Sequence, residues 1–403
     1  MKINLLGFAV PLFTAFILLE YWHSKRKKRK VHSFEESIAN LNIGIAERMT
    51  DLLTTGAFYL VFSWIYDNHA LFHINPNAFT WVFLFIAMDA LWYWYHRCGH
   101  RINLFWSVHV VHHQSEDFNY TVSTRITLLQ AIARGLFWSM LPLIGFPVDM
   151  IMLFLLIHGT YPFFTHTQLI GKLGWIEYLF VTPSHHRVHH SSNPEYLDKN
   201  CGDILIIWDK LFGTFAEERT EIRYGLTSPL NSYSFLWQYF HFQLEMLVAF
   251  KRAKGFRAKW KVIFGKPDDI DPNIRKDLEN TLLVQQHGRS AGRNLQSVIT
   301  IQTVVTMLIL FIAIVWSAWL SKMQLSLISV FVLISVINTG AMMEQKRWVF
   351  YLDFTRIAIV GIFVYTFYPL QGVVTVTVIV LTLILMFYKT IQDHYYGYLY
   401  RYA

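Results

Sequence analysis

The sequence predicts an all-α, polytopic membrane bundle of about nine spans. Three observations carry this. Hydrophobic residues make up 54% of the 403 and charged residues only 15%, where soluble domains carry about 25% charged. Aromatics reach 17%, an excess suited to interfacial belts. Several apolar stretches approach the roughly 20 residues that a spanning helix needs. Cys98 and Cys201 allow at most one bridge, so no disulfide framework holds the fold. The net charge of +8 sits beside apolar segments, where cytoplasmic membrane loops place it, so nucleic acid is not an expected partner.

The first span runs from Ile3 to Trp22 and is followed by Lys25, Arg26, Lys27, Lys28, Arg29 and Lys30. A secretory signal has the opposite order, charges first and small residues last, so this segment is expected to be an uncleaved anchor. Further spans are expected at 50–66, 78–95, 127–146 and 148–165, and after a long polar region at 298–320, 325–343, 355–369 and 372–388. Fifteen Lys and Arg then fall in loops on one side, against Lys2 and Lys322 on the other. That asymmetry places the N-terminus outside and both 96–126 and 166–297 in the cytoplasm, in a bacterial inner membrane or the endoplasmic reticulum. Arg134 lies inside the 127–146 span; it lines a polar cavity, or the span begins later. The stretch 251–266 mixes basic residues with Phe256, Trp260 and Phe264, which suits either a helix in the headgroup plane or an ordinary solvated one.

Eleven of the 18 histidines lie between 96 and 190. His96 and His100 are four apart, and His109, His112 and His113 form an H-x-x-H-H that His186, His189 and His190 repeat. Offsets of three and four share a helix face, so each H-x-x-H-H is expected to aim three imidazoles at one point. The hairpin of spans 127–146 and 148–165 returns the last cluster to the face of the first two and puts His166 at the same depth. Imidazole suits Fe, Zn, Cu and Ni. These rings are too many for one tetrahedral zinc and enough for two ions with open positions.

A metal-bound imidazole usually donates its other N–H to a carboxylate or carbonyl. Asp89, two helical turns before His96, is the expected partner, with Asp203 and Asp117 as weaker ones. His185 points about 100° away from His186 and is expected to contact substrate or orient a ligand. With Asp89 and Asn200 it forms the candidate catalytic set. His158 lies in the apolar part of its span, and Tyr93, Tyr95, Trp92, Trp94 and Trp106 line a lipid entrance or anchor the interface.

At HRCGH (96–100), HVVHH (109–113) and HRVHH (186–190) the chain resembles the fatty acid hydroxylase/sterol desaturase superfamily of membrane di-metal oxygenases. The stretches 182–215 and 224–234 are similar to its ether-lipid-cleaving branch. That resemblance implies two iron ions (zinc replacing them in a purified sample), O2, and an external reductant, tetrahydrobiopterin in that branch. It implies a lipid substrate whose O-alkyl bond is cleaved to a fatty aldehyde and a glycerol derivative. The alternatives are a sterol, fatty acyl or carotenoid-type hydroxylase or desaturase and, more remotely, a histidine-based metal transporter, whose site would lie near the bilayer midplane. One position departs from the branch: Arg101 stands where its members carry a glutamate. No dinucleotide-binding fingerprint occurs, so the electron donor is external and unidentified. The expected organisation is an anchor with a basic segment (1–48), a hydroxylase-like catalytic domain including the cytoplasmic region (49–297) and a C-terminal transmembrane bundle (298–403).

Overall fold

The computed structural model describes residues 3–283, 292–368 and 371–400. Among them every regular element is helical, and the only strand-like pairings are the isolated bridges Phe180–Leu205 and Ser191–Tyr224.

Helix α1 (Ala9–Arg26) follows a 3-10 turn at Leu5–Phe8 and ends on His23, Lys25 and Arg26, cations that suit the negative end of the helix dipole. Helix α2 (Phe34–His69) is a single rod of 36 residues, about 54 Å long and well beyond the roughly 30 Å of a hydrocarbon core. The expected span at 50–66 is its second half. Glu47, Arg48 and Asp51 interrupt its apolar character, so α2 is absent from the helices apolar enough to cross a membrane.

Helix α3 (Ala78–Arg101) starts at a capping box in which Thr80 N donates to Asn77 Oδ1 at 3.1 Å and Asn77 N to Thr80 Oγ1 at 2.9 Å. Helix α4 (Asn103–His109) tightens into a 3-10 turn over Val110–His113. The expected span 127–146 is instead two short helices, α5 (Leu128–Trp138) and α6 (Met140–Ile144). Arg134 in α5 is half-buried, its guanidinium 5.9 Å from the Trp92 ring. Helix α7 (Val148–Thr165) returns after Gly145, at φ +118°, where a Cβ would meet Phe72 O at 1.8 Å. The 71–74 connector lies against this turn, with Leu71, Phe72 and Ile74 donating to Leu143, Ile144 and Gly145.

The polar region holds α8 (Pro183–His189), α9 (Ile207–Leu211), α10 (Phe235–Arg252), α11 (Phe256–Phe264) and α12 (Asn273–Leu282). On α11, Phe256, Trp260 and Phe264 stack along one exposed face with centroid separations of 5.8 and 4.3 Å. The C-terminal helices are α13 (Arg293–Val315), α14 (Lys322–Met343), α15 (Val349–Phe367), α16 (Gln371–Met386) and α17 (Tyr388–Leu399), the last bent 90° from α16. By length and composition six helices can cross a membrane among the described residues: α1 with its preceding turn, α3, α7, α13, α14 and α15; the bent pair α16–α17 makes a seventh.

One core packs Ile43, Ala46, Phe235 and Tyr239 of α2 and α10 against Leu310, Ile314, Val332 and Val336 of α13 and α14. A second joins Phe62, Leu84, Met88, Trp138, Leu141 and Ile151. The C-terminal ends of α3 and α7 and the short helices α4 and α8, with the turn after α4, carry the clustered histidines.

Candidate metal centre

Nine buried imidazoles meet in one pocket as two adjacent groups. His96, His100, His109, His113 and His189 form the first, and His112, His166, His186 and His190 the second; within each group the ligand atoms lie within 4.8 Å of one another. All nine histidines expected from the sequence are here. The expectation that each H-x-x-H-H converges on one point is corrected. In both motifs the first and last histidines share a group (His109 with His113, His186 with His190), while the middle one crosses over (His112, His189). The reason is angular: offsets of three and four differ by one residue, about 100° on a helix, so a triplet straddles two points.

The ring nitrogens of each group face one another at short range. His109 Nε2 lies 3.0 Å from both His96 Nε2 and His113 Nε2, and His166 Nε2 lies 3.2 Å from His112 Nε2 and 3.0 Å from His186 Nε2. The Nε2 atoms of His100, His189 and His190 are buried with no hydrogen-bond partner. Convergent lone pairs and orphaned nitrogens in a closed pocket fit a cation in each group. Burial, reinforced by neighbouring imidazoles, holds His109, His112, His113, His186 and His190 well below the usual imidazole range. Burial likewise lowers His166 to about 3 and His189 to about 4. All are therefore neutral near pH 7, the state that binds metal.

Backbone carbonyls orient three of the rings through Nδ1–H: His96 donates to Cys201 O at 2.9 Å, His189 to Lys199 O at 2.9 Å and His166 to Pro162 O at 2.6 Å. Each such bond leaves Nε2 free to face the pocket. His109 Nδ1 faces the Gln130 amide at 3.3 Å. Phe118, fully buried, stacks on His166 at 5.5 Å and on Tyr224 at 4.9 Å.

Asp89 does not serve His96. Its carboxylate accepts from Ile204 N at 3.1 Å, Leu205 N at 3.3 Å and the Trp208 indole at 2.8 Å. Sequence spacing placed Asp89 on the His96 face, but the 204–208 backbone supplies closer donors, and Cys201 O takes the place foreseen for it. Asp203 pairs with His158 at 2.6 Å, and Asp117 accepts from Ser33. His185 lies outside both groups, accepting from Thr182 N at 3.3 Å and edging Phe215. Asn200, at φ +52°, spends its side chain on His185 O and on Ala216 N and O. Of the aromatic residues, Trp106 touches the group, 5.3 Å from His100 and 5.8 Å from His113. Tyr93 bonds Thr214 at 2.9 Å, Tyr95 packs on Trp138, and Trp92 stacks on His158.

Sequence reasoning missed Arg125, which it counted only as a loop charge. The side chain is fully buried, and its guanidinium donates to Val111 O at 2.6 Å, Asn40 Oδ1 at 2.8 Å, Gln114 Oε1 at 2.5 Å and Gln238 Oε1 at 3.2 Å. It thus ties the 109–114 turn to α2 and α10. Burial pulls its pKa down to about 10, so it stays charged. No local pattern marks it, because its four acceptors come from positions 40, 111, 114 and 238.

Comparison with known proteins follows the same residues. The Fatty acid hydroxylase family model matches residues 81–214, which contain all nine histidines. The chain is 35% identical to alkylglycerol monooxygenase of Homo sapiens over 261 residues, covering 64% of this chain and 58% of that protein. It is 30% identical to alkylglycerol monooxygenase of Danio rerio over 361 residues, covering 87% of this chain and 80% of the relative. Over 144 residues it is 31% identical to ornithine lipid hydroxylase OlsE of Rhizobium tropici, covering 35% of this chain and 43% of that protein. No solved structure matches.

Proposed function

From the premise that this chain belongs to the fatty acid hydroxylase family, we propose that it is an O2-dependent lipid monooxygenase that cleaves the O-alkyl bond of alkylglycerol ether lipids. The observation that carries the reading is the pair of adjacent all-histidine groups, five and four imidazoles, within the family-matched segment. His96, His100, His109, His113 and His189 would hold one iron ion, and His112, His166, His186 and His190 the other. Bound there, the two ions supply the activation of O2 that an inert C–H bond requires.

The protein's own share is to hold the imidazoles neutral and aimed. Trp106 and Phe118 pack against the rings and keep water from them. Hydroxylation of the carbon next to the ether oxygen consumes O2, two electrons and two protons and yields a hemiacetal and water. The hemiacetal then collapses to a fatty aldehyde and the free glycerol hydroxyl. The electrons come from an external donor, and tetrahydrobiopterin is the one proposed. Where the ether-cleaving branch has a glutamate, Arg101 Nε lies 3.5 Å from Asp198, whose other oxygen is 3.7 Å from His100 Nδ1. Asp198 thus returns a carboxylate to that edge of the five-histidine group.

We take the N-terminus to lie outside and the site to face the cytoplasm, on the bias of fifteen Lys and Arg to two that the nine-span expectation gives. We assign residues 1–48 to an anchor, 49–297 to the catalytic unit and 298–403 to a C-terminal bundle. The similarity to an ornithine lipid hydroxylase favours a second reading, hydroxylation of a lipid chain to a stable alcohol. Incubating membranes that contain the protein with a chain-labelled alkylglycerol separates the two: labelled aldehyde is expected, and a stable labelled alcohol would favour the second.

A further inference from the structure

The carbonyls that orient His96 and His189 belong to one short loop, and three carboxylates hold it. Asp209 accepts from Cys201 N at 2.8 Å and Gly202 N at 2.7 Å, and Thr214 Oγ1 donates to it at 2.6 Å. Asp89 accepts from Ile204 N and Leu205 N. Between them the side chain of Asp203 accepts from His158 Nδ1 at 2.6 Å, both groups almost wholly buried. Gly202 is the only residue type this clamp admits, since a Cβ there would meet Leu205 O at 2.7 Å and Asp209 Oδ2 at 2.9 Å. The backbone turns at Asn200, in the left-handed region at φ +52°. Lys199 O and Cys201 O therefore flank a residue whose own side chain points elsewhere.

Asp89, His158 and Asp203 also lie close enough together to hold a cation. The Asp89 carboxylate, however, already accepts from three N–H donors and lies 3.8 Å from His158 Nδ1. The His158 ring sits among Phe85, Trp92 and Phe154. The cluster is built to grip a loop, not an ion. The rings that the loop carbonyls orient directly, His96 and His189, both belong to the five-histidine group; in the other group His166 takes its orienting bond from Pro162 O.

We infer that Asp203 and His158 are positioning residues whose hydrogen bond locks the 199–205 loop and so sets His96 and His189 in the five-histidine group. This rests on the two-ion reading above. The test is cobalt(II) titration of the purified full chain, comparing wild type with Asp203→Ala and His158→Phe. Wild type is expected to take two cobalt ions; a wild type that takes none overturns the two-ion reading and this inference with it. In each variant one ion is expected to bind as before and the other about 10- to 100-fold more weakly, the usual effect of losing an orienting partner. The absorption of that cobalt should change, while kcat falls and the lipid KM holds. Equal weakening of both ions, or two ions at wild-type affinity, overturns the inference. Asp203→Asn, which keeps its shape and an acceptor for His158, is expected to retain both ions. If it loses one as the alanine variant does, the hydrogen bond is not what holds the loop.

Discussion

Neutral imidazoles buried in a pocket are held there by whatever occupies their outward nitrogens, so single replacements should be resolved group by group. His112 and His189 each cross from their own motif into the opposite group. His112→Ala is therefore expected to lose the ion of the four-histidine group and His189→Ala that of the five-histidine group. Both should abolish activity while the protein still inserts. Metal analysis of the purified variants checks this; two ions per chain in either would remove that histidine from the ligand set. Arg125 acts differently, because its guanidinium serves four acceptors from separate parts of the chain. Arg125→Met leaves those acceptors buried and unpaired and should cost about 1–3 kcal/mol for each one that finds no new donor, seen as a lower thermal midpoint in detergent. Arg125→Lys should not restore it, since an ammonium lacks the planar fork.

At the scale of elements, the short helices do the positioning and the long ones the anchoring. Helix α4 tightens into a 3-10 turn over Val110–His113, where the second motif lies, and the turn sends His112 to one group and His113 to the other. The α5–α6 segment stops short of a span because it breaks at Ser139 and turns back at Gly145. That turn has no room for a side chain. Gly145→Ala is expected to destabilise the protein by more than about 1 kcal/mol, through both its backbone angle and the clash with Phe72 O. Gly171→Ala, with open space around it, should be neutral. A thermal-shift comparison of the two checks this, and equal midpoints would contradict a closed turn at Gly145.

For the molecule as a whole, many imidazoles buried in neutral form make stability depend on pH in a definite direction. In the unfolded chain each titrates near 6.5, while in the fold burial holds His189 at about 4 and His166 at about 3. Below pH 6.5 the unfolded chain takes up protons that the folded chain refuses. Stability is thus fully present above that pH and is lost as pH falls towards the folded values. The metal-free protein should show a thermal midpoint that declines steadily from pH 7.5 to 5. A midpoint that is flat or rises over that range would contradict the burial of neutral rings.

Read by itself, the sequence determined the helical membrane class, the positions of most apolar helices and the nine histidines. These follow from composition and from offsets along the chain, which are local quantities. Only the tertiary structure decided how the nine divide into five and four, because one residue of helical offset is about 100° and the choice of group depends on where neighbouring helices end. It alone exchanged Asp89 for the Cys201 carbonyl as the partner of His96. It also revealed Arg125 and the Asp203–His158 pair, whose partners lie up to 113 residues away. A hydrogen bond between distant positions leaves no period in a sequence; it exists only once packing has removed the competing water.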